Sequence, residues 1–574
     1  MSAPPVFDLF RAVLRPERSF YALMLVYGVA VSALGLSVPL SVQVLIGTVV
    51  NAALVDQVLV LALVLFTLLV LAGLFMAVQV YLMELFERRF FSRIVSEVTL
   101  RLLYARFDHL EAINRDSLVN RYFDVMTVQK SLPPLLTGGL ATALQTAVGI
   151  TVTSFYHPLF LVFNVTVLGT AYLVFRLFHG GAAHSSLELS GTKYDVANWL
   201  ETLARSNALF KSTRGIDYAL EHTRQLRAEY VARHRRHFHY TFAQIVGFLL
   251  LYAGASAALL GIGGWLVIRG QLTIGQLVAA ELILAAIFYG LTRIGYYLEL
   301  YYDLYAALGK LVQLFALPSE TIREHDGIDD WSPAVTFSAA RMPLPGGDFT
   351  LDLSIAPARR ALLLTRSSTQ VKAITDVLLN HAQPAAGRVL LGGHDIEDFN
   401  AHRLRDQVQV LDTAPLPECT IAEYLAIAAP DLSRAAMRVL LDTVGLDLEL
   451  PATAQTLDTA LTPYGHPLST AGVIKLRIAQ ALAAQPRVLV LTPQFDALSL
   501  EARTRILRHL ETQAATTVLC FSHRRDLPLF DDYVLCDFQV QERFDDINAV
   551  FDAYERVVAA NIARPLAGAA QMTA

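Results

Sequence analysis

Uncharged stretches dominate the first half of the chain. No Asp, Glu, Lys or Arg occurs in residues 21–55, 57–83, 131–175 or 241–268. Each stretch is longer than the roughly 20 residues that a helix needs to cross the hydrocarbon core of a bilayer. The pattern therefore predicts transmembrane helices in all four stretches.

A turn divides one of these stretches. Residues 131–175 are long enough for two spans, and the sequence Tyr156-His157-Pro158 suits a tight turn between them. A further apolar segment at about residues 274–300 completes a set of six predicted transmembrane helices.

Two ionisable residues, Glu281 and Arg293, lie deepest within the sixth predicted span. Because an isolated charge facing lipid is costly, Glu281 is expected to face the helix bundle and Arg293 to reach toward the cytosolic headgroups. Both are candidates to line a path through the membrane domain. The alternative for Glu281 is a place near the outer interface.

Basic residues predict the orientation of the spans. They are frequent in segments 88–130 and 176–236, whereas Arg269 alone lies in the opposite set of loops. Since basic loops stay in the cytoplasm, both termini are predicted to be cytoplasmic in a multi-pass protein of an inner or plasma membrane. The dense basic cluster 233–239 is interpreted as an anchor beside anionic headgroups, with a zinc site through His234 and His237 as the alternative.

Composition separates a membrane domain from a soluble one. The chain has 574 residues, of which 54% are hydrophobic and 17% charged, and its net charge is -5. These values exclude an ordinary soluble enzyme, give no sign of a nucleic-acid partner and make membrane lipids the expected surroundings of residues 1–316. An acidic linker is predicted at 317–330 and a soluble domain at 331–574, with three reduced, buried cysteines.

Short motifs in the soluble domain carry a family resemblance. A strand-rich start is followed by Gly387-Arg-Val-Leu-Leu-Gly-Gly393-His-Asp395-Ile396, Leu404-Arg405, Thr420-Ile421, Leu468-Ser469, an apolar strand and Ser522-His523-Arg524. The chain resembles an ABC exporter half-transporter, six membrane helices fused to one nucleotide-binding domain. The resemblance implies an α-helical membrane domain plus an α/β ABC-type nucleotide-binding domain. It also implies a homodimer, or a heterodimer with another ABC subunit.

The phosphate-binding loop that the resemblance calls for contains no glycine. Residues 361–386 lack glycine entirely, although the family pattern Gly-x-x-x-x-Gly-Lys-Ser/Thr uses glycines so that backbone N–H groups converge on phosphate. Counting back from Pro384 and Gly387 places residues 365–373 on this loop.

Side chains that would hold nucleotide are also replaced. Val371 stands at the position of the lysine and Lys372 at that of the hydroxyl that binds magnesium. A one-residue slip restores Lys372 but still leaves alanine next. The hydroxyls that remain for an anion belong to Thr365, Ser367, Ser368 and Thr369.

Two further motifs of the family depart from their pattern. Thr492 and Pro493 follow the apolar strand where the family has the magnesium-binding aspartate and the catalytic glutamate, and proline cannot act as a base. The signature Leu-Ser-Gly-Gly-Gln, which binds phosphate on the partner chain, keeps Leu468 and Ser469 but has Gly472 in its last place and no central glycines.

Single positions complete this comparison. Asp412 takes the place of the glutamine that couples nucleotide to the membrane domain, and Ala339 that of the aromatic residue that stacks on adenine. The family's histidine is present as His523, although a histidine after a strand is also an ordinary structural residue.

We therefore predict an ABC-exporter-like membrane protein whose nucleotide-binding domain does not hydrolyse ATP, a structural or regulatory partner in export without catalytic residues, cofactor or metal. One alternative is the degenerate half of a heterodimeric exporter of peptide, protein or lipid, driven by ATP and magnesium. Another is a membrane sensor that docks a protein.

Overall fold

The structure is a computed structural model that describes residues 15–51, 55–112, 122–292, 294–320, 330–345, 347–446, 456–513, 515–527, 529–538 and 540–562. It divides into two compact units, Met1–Ser319 and Glu320–Ala574. Arg293 lies outside the described residues.

The first unit is entirely helical in its described part. Its helices are α1 Arg18–Leu34, α2 Ser37–Asn51, α3 Val55–Leu103, α4 Phe107–Ala112, α5 Tyr122–Pro134, α6 Leu140–Ser154, α7 Pro158–Arg205, α8 Thr213–Ile268, α9 Ile274–Thr292 and α10 Ile294–Phe315. Five stretches of described helix are long and apolar enough to cross a membrane, namely Arg18–Thr48, Val55–Leu103, Tyr122–Ser154, Pro158–Arg205 and Thr213–Ile268. The sixth predicted span falls on the shorter apolar helix α9 and on α10.

The predicted turn between the third and fourth spans is confirmed. Helix α6 ends at Ser154, and α7 begins at Pro158, which occupies its first turn. His157 caps α7, because its ring nitrogen accepts a hydrogen bond from the Leu159 N–H at 3.1 Å. Proline without an N–H is well suited to this first helical position.

The two halves of α3 differ in their surroundings. Leu59, Leu63 and Phe66 in the first half are exposed apolar side chains, whereas Phe86 and Phe90 in the second half are fully buried and stack on each other with ring centroids 5.4 Å apart. Exposed leucine and phenylalanine on one long helix fit a bilayer as solvent.

The second unit is an α/β domain. Its strands are β1 Val335–Leu344, β2 Gly347–Ile355, β3 Arg360–Thr365, β4 Ala386–Leu391, β5 His394–Asp395, β6 Val408–Val410, β7 Cys419–Thr420, β8 Ala460–Leu461, β9 Val488–Leu491, β10 Thr517–Phe521, β11 Asp532–Cys536 and β12 Gln541–Phe544. Its helices are α11 Ser368–Leu378, α12 Ala401–Gln407, α13 Ile421–Ala428, α14 Arg434–Thr443, α15 Thr470–Ala483, α16 Leu500–Thr512 and α17 Ile547–Ile562.

A six-stranded sheet forms the centre of this unit, in the order β12-β11-β3-β10-β9-β6. The five strands from β11 to β6 are parallel, and β12 is antiparallel. Alternate residues of β3 enter different cores: Leu362 and Leu364 pack on one face of the sheet, Ala361 and Leu363 on the other. Strands covered on both faces in this way read as continuous apolar runs. A separate antiparallel sheet has the order β2-β1-β4-β5.

The cysteines behave largely as predicted. Cys520 and Cys536 are fully buried in β10 and β11, whereas Cys419 is only half-buried, and all three are free thiols. Burial raises the pKa of the Cys536 thiol to about 12, so this thiol is neutral and unreactive at physiological pH.

Candidate functional site

Four parallel strands of the central sheet end at one edge. Cys536 lies opposite Thr365, and Cys520 lies opposite Leu491. The residues that follow these strand ends are therefore brought together, as is usual for the ligand-binding edge of an open parallel sheet. They include side chains that the sequence singled out, namely Ser367, Thr492, Pro493 and His523, and others that it did not, namely Arg366 after β3 and Asp537 after β11.

The connection after β3 is much shorter than the sequence predicted. Thr365 is the last, buried residue of β3, and α11 already begins at Ser368. Only Arg366 and Ser367 form a loop, so most of the expected loop 365–373 is helix. The prediction of a longer loop is wrong because Ser367 and Gln370 form a capping box, which starts a helix at this point.

Gln370 fills the space at the start of α11. Its side-chain oxygen accepts hydrogen bonds from the backbone N–H groups of Arg366 and Ser367, at 3.2 and 3.1 Å, and the residue is fully buried. The Ser367 hydroxyl in turn accepts from the N–H of Thr369 at 3.2 Å. Backbone N–H groups at such a helix start are the ordinary donors to a bound phosphate, and here side chains of the same chain bind them.

Val371 and Lys372, the two residues aligned with the family's lysine and hydroxyl, have structural contacts. Val371, in the first turn of α11, is buried in the core on one face of the sheet. The Lys372 ammonium pairs with the Asp376 carboxylate, 2.5 Å away and one turn further along the helix. Lys372 therefore binds a carboxylate on the side away from the strand end.

A charged pair borders the short loop. The Arg366 guanidinium lies 3.4 Å from the buried carboxylate of Asp537 and 5.8 Å from the ring centre of Phe538. Asp537 is a functional candidate that the sequence reading missed. Its carboxylate at the strand edge repels an anion.

Thr492 and Pro493 directly follow the end of β9. The Thr492 hydroxyl donates to the Leu411 carbonyl at 2.8 Å, and Pro493 opens a short 3₁₀ turn, Pro493–Ala497. Neither side chain carries a carboxylate, so this pair provides neither the acidic ligand that the family uses for magnesium nor a general base.

The carboxylate in this turn, Asp496, binds the end of β10. It accepts hydrogen bonds from the Ser522 hydroxyl at 2.5 Å and from the His523 N–H at 3.0 Å. The His523 ring stacks obliquely on Tyr554, with centroids 5.5 Å apart. The partners of Asp496 lie 26 and 27 residues further along the chain and meet it only in the folded sheet.

The altered signature motif is also capped by its own chain. Ser469 is the N-cap of α15, and its hydroxyl accepts from the Gly472 N–H at 2.9 Å. The Gly472 N–H, which could otherwise donate to a phosphate, thus donates to a side chain of its own helix N-terminus.

Asp412 is held by an arginine that the sequence reading missed. The largely buried guanidinium of Arg477, on α15, donates to the Asp412 carboxylate at 2.9 Å and to the backbone carbonyls of Asp412 and Ala414. A charge-assisted set of this kind fixes the segment after β6. No sequence signal joins Asp412 to Arg477, since the two residues meet only through the packing of α15 beneath the sheet.

In the membrane unit, Glu281 lies half-buried on α9. Its Oε2 atom is buried, and the described part of the chain gives it no hydrogen-bond partner. That Glu281 faces the bundle stays a prediction. The prediction for Arg293 falls outside the described residues.

Comparison with known proteins adds a family context. No family model matches the chain. It is 28% identical over 279 residues to the ABC multidrug transporter mdr2 of Aspergillus fumigatus, and 25% identical over 271 residues to the alpha-hemolysin translocation ATP-binding protein HlyB of Escherichia coli. These alignments cover 46% of this chain in both cases, and 35% and 38% of the two relatives, so the chain matches little more than a third of their length.

A solved structure matches nearly the whole chain. A bacterial Atm1-family ABC exporter with ATP bound superposes with a TM-score of 0.76 at 19% identity, covering 96% of this chain and 99% of that one. This chain has the ABC exporter fold. The predicted fold class, a helical membrane domain with an α/β nucleotide-binding domain, is confirmed. The carboxyl edge described above therefore belongs to the ABC-type domain.

Proposed function

We propose that this ABC-exporter-like protein carries a pseudo-nucleotide-binding domain, does not hydrolyse ATP itself, and acts as a structural or regulatory partner in transmembrane export. The observation that carries the proposal is the self-capped loop after β3. Two residues replace a phosphate-binding loop, and Gln370 already accepts from the N–H groups of Arg366 and Ser367.

Nucleotide binding at this edge would require the cap to open. The loop would have to lengthen at the expense of the first turn of α11, and Gln370 would have to leave a fully buried position. Losing an N-cap alone costs about 0.5–2 kcal/mol. Forcing residues without glycine into left-handed conformations costs about 1–2 kcal/mol each. Since millimolar to micromolar affinity is worth about 4–8 kcal/mol, these costs consume most of it.

The distribution of charge also argues against nucleotide binding at this edge. A nucleotide brings several negative charges, and the acidic groups at this edge, Asp537 and Asp496, are committed to Arg366 and to the end of β10. Lys372 is paired with Asp376. The arrangement offers an incoming phosphate no ammonium in the place where a phosphate-binding loop would hold one.

The protein would act as one of two paired chains. An ABC exporter half has one membrane domain, and we propose that this chain pairs with a second copy or with another ABC subunit. The relatives are, by name, a multidrug transporter and an alpha-hemolysin translocation protein. We propose export of a peptide, protein or lipid as the process that this chain serves.

The test is ATP binding and turnover by the purified full chain with magnesium. We expect calorimetry to give no dissociation constant tighter than about millimolar, and phosphate release to equal that of a matched Pro493→Ala variant, which removes the proline without supplying a base. Micromolar binding would overturn the proposal and favour the ATP-driven alternative. So would turnover that persists through purification and falls when His523 is changed to alanine.

A further inference from the structure

Helix α8 (Thr213–Ile268) crosses from a strongly basic segment into an uncharged one. Arg235, Phe238, His239 and Phe242 follow at spacings that place them on one face of the helix. Phe238 and Phe242 are 53% and 50% exposed, and their rings stack with centroids 5.4 Å apart. We call these four residues the α8 stripe.

The same face continues into apolar side chains. Val246, Leu249 and Leu250 are exposed in the next turns, inside the stretch without charged residues. Along one helix face, the surface therefore changes from cationic to aromatic to aliphatic. This is the order in which a phospholipid presents its headgroup, its interfacial region and its acyl chains.

Neighbouring basic residues are already committed within the unit. The Glu188 carboxylate lies 2.8 Å from the Arg233 guanidinium and 3.5 Å from that of Arg236, and its other oxygen lies 3.2 Å from His184. Arg235 is different. It is exposed and forms no ion pair with any residue that the structure describes, so its guanidinium is available to an anion.

We propose that the α8 stripe binds an anionic phospholipid, with the Arg235 guanidinium on the headgroup phosphate and the acyl chains along Phe238, Phe242 and the aliphatic turns beyond. Guanidinium and phosphate match in geometry and charge. A basic residue near an anionic membrane surface contributes about a fivefold gain in affinity. The site is independent of nucleotide chemistry and goes beyond the proposed function.

A matched control lies on the same helix. Arg227 is also exposed and forms no ion pair among the described residues. It lies eight residues before Arg235, about 12 Å further from the uncharged stretch, which exceeds the Debye length of about 8 Å at physiological salt. The two arginines differ in depth rather than in chemistry.

The experiment measures lipid binding to the full chain in detergent by native mass spectrometry, with phosphatidylglycerol and phosphatidylcholine as probes. We expect Arg235→Gln to weaken phosphatidylglycerol binding about fivefold and to leave phosphatidylcholine unchanged, whereas Arg227→Gln changes neither. Phe242→Ser should weaken both lipids. Arg235→Lys should stay within about twofold of the natural chain, and an unchanged melting temperature for each variant excludes a folding defect.

Three outcomes would overturn the inference. Equal effects of Arg235→Gln and Arg227→Gln would reduce the stripe to nonspecific charge. Displacement of phosphatidylglycerol by inorganic phosphate at similar concentration would make this a phosphate site without lipid contacts. A change in oligomeric mass in Arg235→Gln or Phe242→Ser, with lipid binding intact, would assign the face to a second copy of the chain.

Discussion

At the amino-terminal edge of the central sheet, the Asp532 carboxylate accepts hydrogen bonds from both Arg359 and Arg543, at 2.8 and 3.1 Å. Beside it, Arg360 pairs with Asp531. The carboxyl edge also carries charged groups, in the Arg366–Asp537 pair and the Asp496 carboxylate. The connections after β3 and β9, however, are held by neutral groups, the side-chain oxygen of Gln370 and the hydroxyl of Thr492. The strand starts are thus tied by Arg–Asp pairs, whereas these two strand ends have uncharged caps.

The charged pairs that stabilise the sheet therefore lie at the opposite edge from the one at which an ABC-type domain binds nucleotide. An ABC-type domain places its phosphate groups at the carboxyl edge, where fixed charges and free N–H groups would be needed for function. In this chain, Arg359, Arg360 and Arg543 pair with Asp531 and Asp532 at the edge remote from that chemistry. At the carboxyl edge, side chains of the same chain bind the N–H groups of Arg366 and Ser367 and the carbonyl of Leu411.

The largest loss of stability is expected from a substitution at the charged amino-terminal edge. Asp532 is almost fully buried, so Asp532→Asn removes a charge that two guanidinium groups share. Because hydrogen bonds to charged groups each contribute about 1.5–3 kcal/mol, we expect the free energy of unfolding of the second unit to fall by about 2–3 kcal/mol. Fluorescence of the buried Trp331 during urea unfolding measures this, in a background with Trp199 and Trp265 changed to phenylalanine.

A surface pair supplies the control for this prediction. Arg341 and Asp348 are 3.7 Å apart and exposed, so Asp348→Asn should leave the unfolding midpoint nearly unchanged. Equal effects of the two substitutions would show that the buried Asp532 contributes no more to stability than an exposed surface pair.

The same carboxylate predicts a pH dependence. Burial alone would raise the pKa of Asp532, but hydrogen bonds from Arg359 and Arg543 outweigh it and hold this pKa below its ordinary value. A lowered folded-state pKa stabilises the protein above the unfolded-state pKa of about 3.9, and this contribution is lost as the pH falls through the folded-state pKa. We expect Asp532→Asn to flatten the loss of stability in acid, and an unchanged acid profile would contradict this.

A smaller loss of stability is expected from removing the Gln370 side chain that caps α11. Gln370→Ala leaves the partly buried N–H groups of Arg366 and Ser367 without their acceptor, and we expect a loss of about 1–2 kcal/mol by the same fluorescence measurement. Thr369→Ala is the control, because its exposed hydroxyl contacts only that of Ser367 among the bonds of this loop. The control should change stability by less than about 0.5 kcal/mol.

Nucleotide binding sharpens this prediction. If the cap only blocked an otherwise competent site, Gln370→Ala would create micromolar ATP affinity. We expect none, because the loop would still have two residues and no lysine at Val371.

The sequence predicted the elements better than their contacts. Charge-free stretches and Pro158 predicted the membrane helices and the turn between the third and fourth spans, because the bilayer and proline act locally. The short loop after β3 had a local signal too: Ser367-Ser-Thr-Gln370 is a capping-box pattern. The comparison with a family motif outweighed that signal, and the loop was therefore predicted too long.

Other parts of the site had no local signal. Arg477 reaches Asp412 from a helix 65 residues further along the chain, and Asp537 reaches Arg366 only because β11 pairs with β3. Such pairs depend on the order of strands in the sheet. The residue types at Val371, Thr492 and Pro493 were informative from the sequence, whereas the way their neighbours satisfy one another was visible only after folding.

The smallest effect concerns Lys372, the residue that a one-residue slip would make the phosphate-binding lysine. Its ammonium is half-exposed and pairs with Asp376 four residues on, an arrangement worth about 0.3–0.5 kcal/mol on a helix surface. We expect Lys372→Ala to lower stability by no more than that and to leave any residual ATP binding unchanged. Asp376→Ala, which breaks the same pair from its other end, is the matched control. A phosphate-binding lysine would behave differently, because Lys372→Ala would then weaken ATP binding while Asp376→Ala, by removing a carboxylate that competes for the ammonium, would strengthen it. Calorimetry with millimolar ATP on the two variants separates these outcomes, and opposite shifts in affinity would restore Lys372 to a functional role.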